Sequence, residues 1–230
     1  MARPLLLLAL VAAGLLLVAA VRRLRREAGA LRAARAGCLD AAAPLLADPG
    51  RVIDPSGFPR IAGRLDGRPV EVRAMPDALT FRKLPALWLL ATLNEPQPLR
   101  AETRIMRRPS GFEPFSTFAT LSAETPLPPG FPEGVVLRTE DPSALPPYSF
   151  LAGLARRFED PTLKEVVLSP NGLRLVRLVE EAPRSRYLLY RDSDLGHTAV
   201  PAPTLSATLA ALLSLAGDLA AAAGPVGRRA

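Results

Sequence analysis

The chain has 230 residues, a net charge of +7 and one cysteine, Cys38. A lone cysteine excludes an internal disulfide and a multi-cysteine zinc site. The positive charge does not mark a nucleic-acid reader: seven arginines against three acids lie through Gly50, Arg228 and Arg229 close the chain, and the body between is almost neutral.

Residues 1–21 read as a transmembrane anchor. Leu5 to Val21 is an unbroken apolar run. As a helix, those residues rise about 26 Å, the short end of what a bilayer core of about 30 Å requires. Pro4 sits at the first turn, where a missing N–H costs little, and Gly14 is tolerated in a lipid-facing helix. Arg22, Arg23, Arg25 and Arg26 follow at once and are expected to meet anionic lipid headgroups, worth roughly 1 kcal/mol per charge near the surface. A cleaved signal peptide is the competing reading, with Val18-Ala19-Ala20 as its exit, but the arginine cluster resists translocation. The expectation is a single-pass protein of the bacterial inner membrane with its C-terminal domain cytoplasmic. A periplasmic domain is the alternative, since Arg3 and the α-amine also flank the run. The bacterial assignment rests on abundant Ala and on Arg serving for nearly every base except Lys83 and Lys164. Ala36-Gly37-Cys38 has the small residues of a lipoprotein box, but Arg35 stands where an apolar residue belongs.

Residues 22–50, rich in Ala, Leu and Arg, predict a basic helical stalk, kinked at Pro44 and ended by Asp48-Pro49-Gly50. Residues 51–223 read as an α+β domain after the turn-rich Asp54-Pro55-Ser56-Gly57. Ile61, Gly63 and Leu65 alternate with polar neighbours, Asp66-Gly67 supplies a tight turn, and Val70 and Val72 alternate again, which is a hairpin. Leu79 to Arg82 and Ala86 to Asn94 predict strands, the second apolar on both faces and therefore central. Leu99 to Arg107 places Arg100, Glu102 and Arg104 outward with Ala101, Thr103 and Ile105 inward. Phe115 to Leu121 predicts another strand. The prolines of 125–132 forbid helix and ladder alike and mark a connector.

Val135 to Arg138 reads as a strand and Tyr148 to Phe158 as a helix. Lys164 to Leu168 and Leu173 to Glu180 flank Ser169-Pro170-Asn171-Gly172 as a second hairpin, with Arg186 to Arg191 its third strand. The two hairpins echo one another only as any hairpins do. Thr204 to Ala223 predicts a helix with Leu205, Leu209, Leu212, Leu213 and Leu219 on its apolar side; Ser206, Thr208, Ser214 and Asp218 favour packing on the sheet over spanning a membrane. Residues 224–230 read as a flexible tail.

No motif names a reaction. There is no Gly-x-Ser-x-Gly elbow, phosphate loop or Gly-x-Gly-x-x-Gly, and no cofactor is expected. Asp192, Asp194 and His197 form a weak metal set; an EF-hand would need a glutamate where Pro203 stands. The pairs Glu140-Asp141, Glu159-Asp160 and Glu180-Glu181 border turns and read as solvated ends. Arg82, Arg104, Arg174 and Arg186 lie on strands and could gather into an anion-binding surface, although ordinary strand polarity explains them as well. Trp88, Phe81, Phe112, Phe115, Phe118, Tyr187 and Tyr190 are expected mostly in the core.

The layout, an apolar run and arginine collar ahead of an α+β domain, resembles uncharacterised membrane-anchored bacterial domains, and that resemblance transfers no residue roles. The expected fold is α+β: an N-terminal transmembrane helix and helical stalk, then a mainly antiparallel sheet with one or two packed helices. The expected role is a membrane-held interaction or scaffold module with protein partners. The alternative is a tethered enzyme or binder for an anionic or lipidic ligand, which convergence of the arginines in one pocket would favour.

Overall fold

The structure is a computed structural model and describes residues 2–77, 84–182, 195–196 and 199–224. It is an α+β protein built on a nine-stranded, wholly antiparallel sheet. Helix α1 (Ala2–Gly37) leads into a 3-10 turn (Asp40–Leu45) and strand β1 (Ala47–Ile53). The helix is therefore shorter than a stalk reaching residue 50. Asp48 at φ 51 and the break in register between Ala47 and Gly50 explain why this stretch reads as a helix stop rather than a strand. Proline is admissible here because β1 is an edge strand.

The first hairpin, β2 (Pro59–Leu65) and β3 (Arg68–Asp77), forms as the alternation predicts. Asp66 and Gly67 both take positive φ, 50° and 76°, the geometry a two-residue hairpin turn needs. Strand β4 (Ala86–Leu93) runs beside β3 and is almost wholly buried, as its two apolar faces predict. Strands β5 (Thr103–Arg107), β6 (Ala123–Thr125), β7 (Val135–Thr139), β8 (Leu163–Ser169) and β9 (Gly172–Glu181) complete the sheet in the order β1-β2-β3-β4-β9-β8-β5-β7-β6. The expected strands over Leu79–Arg82 and Arg186–Arg191 lie outside the described residues.

Phe115 to Leu121 forms no strand. Pro114 precedes it, Phe118 N–H donates to Ser116 Oγ (3.0 Å), and Phe118–Thr120 closes into a 3-10 turn. The serine hydroxyl offers the backbone a local partner in place of a ladder. Phe112 stands out in solvent, against the expectation that it builds the core.

One face of the sheet carries the main core. Ile61, Val72, Leu89, Ile105, Leu137 and Leu175 point to it, and two helices cover it. Helix α2 (Tyr148–Gly153) continues into a 3-10 turn (Leu154–Glu159), burying Phe150, Leu151, Leu154 and Phe158. Helix α3 (Ala202–Ala223) packs on β4, β9 and the 40–45 turn. It is long and apolar enough to cross a bilayer, yet Leu205, Leu209, Leu212, Leu215 and Leu219 are buried in the domain. Leu213, expected on the apolar side, is only half-buried.

Gly172 opens β9 against β4: a Cβ there would lie 2.3 Å from Leu93 O. Because the obstacle is backbone of the central strand, Gly172→Ala should force the hairpin off the sheet and cost about 1–3 kcal/mol, read as a lower denaturation midpoint in urea. Cys38 follows α1 and is fully buried. Burial pushes its thiol up to about 12. A maleimide at neutral pH should leave it unmodified in the native protein and label it only after unfolding.

Candidate functional site

Period-two alternation sends a second set of side chains to the face opposite the helices. In register across β3, β4, β9, β8 and β5 lie Glu71, Thr92, Arg174, Val167 and Arg104. The neighbouring rung holds Arg73, Leu90, Val176, Glu165 and Met106. Among the described residues no helix covers this face. The loop between β5 and β6 does, laying Phe115 and Phe118 on Leu90, Met106 and Val176. The Trp88 ring meets Phe115 at 4.9 Å between centroids.

Buried polar contacts hold that loop down. Lys164 Nζ donates to Arg107 O (2.7 Å) and Arg108 O (2.9 Å), and the Glu113 carboxylate accepts from Ser110 N–H (2.6 Å) and Ser110 Oγ (2.7 Å). Ser116 Oγ donates to Glu165 Oε1, tying the loop to β8.

Between loop and sheet is a cavity of about 240 Å³ walled by Glu71, Arg73, Thr92, Arg104, Arg174 and Ser116, with Met75, Leu90 and Phe115 as its apolar side. A second cavity of about 160 Å³ shares Thr92, Arg104 and Arg174 with it. Arg104, expected to point outward, does leave the helix face, but it is only 7% exposed because the loop covers that side as well. Alternation specifies which face a residue takes, not whether the face is covered.

The three guanidinium groups differ in their partners. Arg73 Nε donates to Asp54 Oδ2 (2.7 Å). Arg104 donates to Glu102 Oε1 (2.6 Å), Ser116 Oγ (3.0 Å) and Glu165 Oε1 (3.3 Å). Arg174 donates through Nε to Thr92 Oγ1 (2.9 Å), and among the described residues it forms no ion pair. Glu165 is fully buried; its Oε2 has no hydrogen-bond partner among the described residues. Burial lifts its carboxyl above the ordinary range, outweighing Arg104 and Ser116.

Of the four arginines singled out from the sequence, Arg104 and Arg174 thus share a cavity, while Arg82 and Arg186 lie outside the described residues, as do Asp192, Asp194 and His197 of the metal set. Among the described residues no group of three or more His, Cys, Asp or Glu could hold a metal. Arg22, Arg23, Arg25 and Arg26 are exposed on α1, Arg23 pairing with Glu27 at 2.9 Å. Arg100, on the same predicted face as Arg104, is elsewhere, donating to Ser143 O.

The acidic pairs have structural employment. Asp141 Oδ1 accepts from Ser143 N–H (2.8 Å), Asp160 Oδ1 accepts from Thr162 N–H (2.9 Å) while Oδ2 accepts from Arg177, and Glu180 Oε2 accepts from Gly196 N–H (3.0 Å).

Sequence reasoning missed Arg73, Glu71, Thr92 and Ser116 as wall residues, and Glu165 as the buried partner of Arg104. Thr92 carried a usable signal, since it is the polar interruption in Ala86–Leu93 on the register opposite Leu89 and Leu93. Glu165, set in the apolar strand Leu163–Ser169, carried another.

No protein-family model matches this sequence, and neither a curated protein nor a solved structure matches the chain.

Proposed function

We propose that this chain is a single-pass protein of the bacterial inner membrane, in which α1 crosses the bilayer and holds the α+β domain on the cytoplasmic side as an interaction module. The observation that carries the reading is the exposure of α1. Every side chain from Ala12 to Ala30 is exposed, with Leu15, Leu16 and Leu17 at 67%, 71% and 66%. A soluble fold has no reason to leave consecutive leucines in water, since burying each is worth about 1.5–3 kcal/mol. Lipid is the solvent that suits them. The exposed arginines of the next turns sit where a membrane surface would lie, and positive charge favours the cytoplasmic side.

The domain is proposed as a binding rather than a catalytic module. Asp141, Asp160 and Glu180, acids suited to acid–base chemistry, are engaged in turns and ion pairs, and Glu165 is sealed beneath Ser116 and Arg104. A tethered domain of this kind gains from the anchor by confinement near partners at the same surface.

The test is fractionation of cells expressing the full chain, together with C-terminal fusion to a reporter active only in the periplasm. The protein should remain with membranes through high salt and alkaline washing, and the reporter should be silent. Recovery in the soluble fraction with a new N-terminus past Ala20 would overturn the anchor, and periplasmic reporter activity would overturn the orientation.

A further inference from the structure

The cavity beneath the 108–117 loop contains a cation with hydrogen-bonding capacity that no described residue uses. Arg73 and Arg104 are each neutralised by a carboxylate within hydrogen-bond distance, Asp54 and Glu102 respectively. Arg174 is partly buried beside them, and its single hydrogen bond among the described residues goes from Nε to a neutral hydroxyl. The two terminal nitrogens of its guanidinium, the pair that matches an oxyanion in a fork, have no acceptor among the described residues, and Arg174 lines both cavities.

Two of the three guanidinium groups around this volume already hold a carboxylate; Arg174 forms no ion pair among the described residues. Glu71 and Glu165 lie near, but neither comes within ion-pair distance of Arg174 among the described residues: Glu71 pairs with Arg60 and Glu165 with Arg104. Burial first, then Arg104, push the Arg174 guanidinium below its ordinary value, against the opposing pull of Glu165 and Glu71. A bound anion would reverse that pressure.

We propose that this cavity is a phosphoryl-binding site, in which Arg174 grips the phosphate of a small phosphomonoester. A tetrahedral group fits better than a planar carboxylate, because guanidinium groups stand on more than one side of the cavity, Arg73 from β3 and Arg104 from β5, with Arg174 between them on β9. Thr92 and Thr117 add hydroxyls to the wall. Met75, Leu90 and Phe115 supply a short apolar side for the organic part. The volume, about 240 Å³, is below the roughly 300–1,000 Å³ of drug-sized sites and limits the ligand to a compact headgroup. This site is independent of the anchor reading, because it lies on the sheet.

The test uses the full chain in non-ionic detergent micelles. Thermal unfolding is followed with millimolar inorganic phosphate against chloride of equal ionic strength, then with glycerol phosphate and with micellar phosphatidic acid. Phosphate should raise the unfolding midpoint above chloride. With phosphate itself raising the midpoint, a further rise with glycerol phosphate assigns a soluble ligand, and a further rise with phosphatidic acid but not with glycerol phosphate assigns a lipid headgroup. Arg174→Gln should weaken phosphate binding at least about tenfold. Arg174→Lys, which keeps the charge and loses the fork, should fall between the two. Should Arg174→Gln fail to fold, phosphorus NMR line broadening of inorganic phosphate by the parent and Arg174→Lys proteins decides the matter. Equal midpoints in phosphate and chloride, a preference for acetate over phosphate, or undiminished binding in the Arg174 variants would overturn the proposal. Membrane retention should be unchanged in every Arg174 variant.

Discussion

Arg104→Met is expected to lower the unfolding free energy of the domain by about 3–5 kcal/mol, because it strands a buried carboxylate. Glu165 is fully buried, and its Oε1 has two partners, Arg104 and Ser116. Removing the guanidinium leaves one neutral hydroxyl to stabilise the charge. Domains of this size have only about 5–15 kcal/mol to lose, so urea denaturation should show the midpoint fall sharply. Glu165→Gln should cost less, since Arg104 keeps Glu102 at 2.6 Å and the amide oxygen can still accept from Ser116. A loss for Arg104→Met no larger than for an exposed surface substitution would show that the pair is not what holds this face.

The same pair predicts a pH dependence of definite sign. Burial raises the folded carboxyl of Glu165 above its ordinary value of 4.5, against the pull of Arg104, Ser116 and Arg174. Well below 4.5 both folded and unfolded chains hold the proton and the group contributes nothing. As pH rises past that value the unfolded chain ionises first, so stability falls until the folded carboxyl also ionises. Asp160 works the other way. Burial alone would raise it, but Thr162 and Arg177 hold it below its ordinary value, so its contribution is present at neutral pH and lost in acid. Urea midpoints measured from acid to neutral pH should therefore show a descending limb in the parent that Glu165→Gln removes, while the acid loss owed to Asp160 persists in both.

The second large effect concerns α1. Replacing Ala13 and Leu16 with aspartate puts two charges into the apolar run at about 2.5–3.5 kcal/mol each for a membrane interior. Retention in washed membranes should fall by roughly three to five orders of magnitude if the costs add. The domain should be untouched, because side chains from Ala12 to Ala30 are exposed and pack on nothing in the fold. The readouts are the membrane-to-soluble ratio and an unchanged urea midpoint for the released protein. A variant that stays in the membrane would remove the main support for the anchor.

Helix α3 shows how composition misleads on this point. Both α1 and α3 are long, and α3 by itself meets the length and apolarity of a membrane span. What separates them is packing: leucines of α3 interlock with the sheet, whereas Leu15, Leu16, Leu17 and Leu24 of α1 face outward. The polar interruptions Thr208, Ser214 and Asp218 were the sequence-level sign, and all three have partners, Ser214 Oγ accepting from Arg157 (3.0 Å). Thr208 Oγ1 donates to Thr204 O (2.7 Å), and Asp218 accepts from Arg157, anchoring α3 to the 154–159 turn.

The two hairpins, the central place of Ala86–Leu93 and the buried stripe of α3 were legible from the sequence, because each follows from local rules. Side chains alternate every second residue in a strand, a helix repeats every 3.6 residues, and Asp66-Gly67 takes a left-handed turn without severe strain. Which arginines meet was not legible. Arg73, Arg104 and Arg174 are far apart in the chain, and only the strand order β3-β4-β9-β8-β5 brings them to one cavity. Nor could alternation reveal that the Phe115 loop roofs the outward face and buries Arg104 with Glu165. Periodicity is set by each residue's own backbone, but coverage and neighbourhood come from segments distant in sequence, so they were decided only when the chain packed.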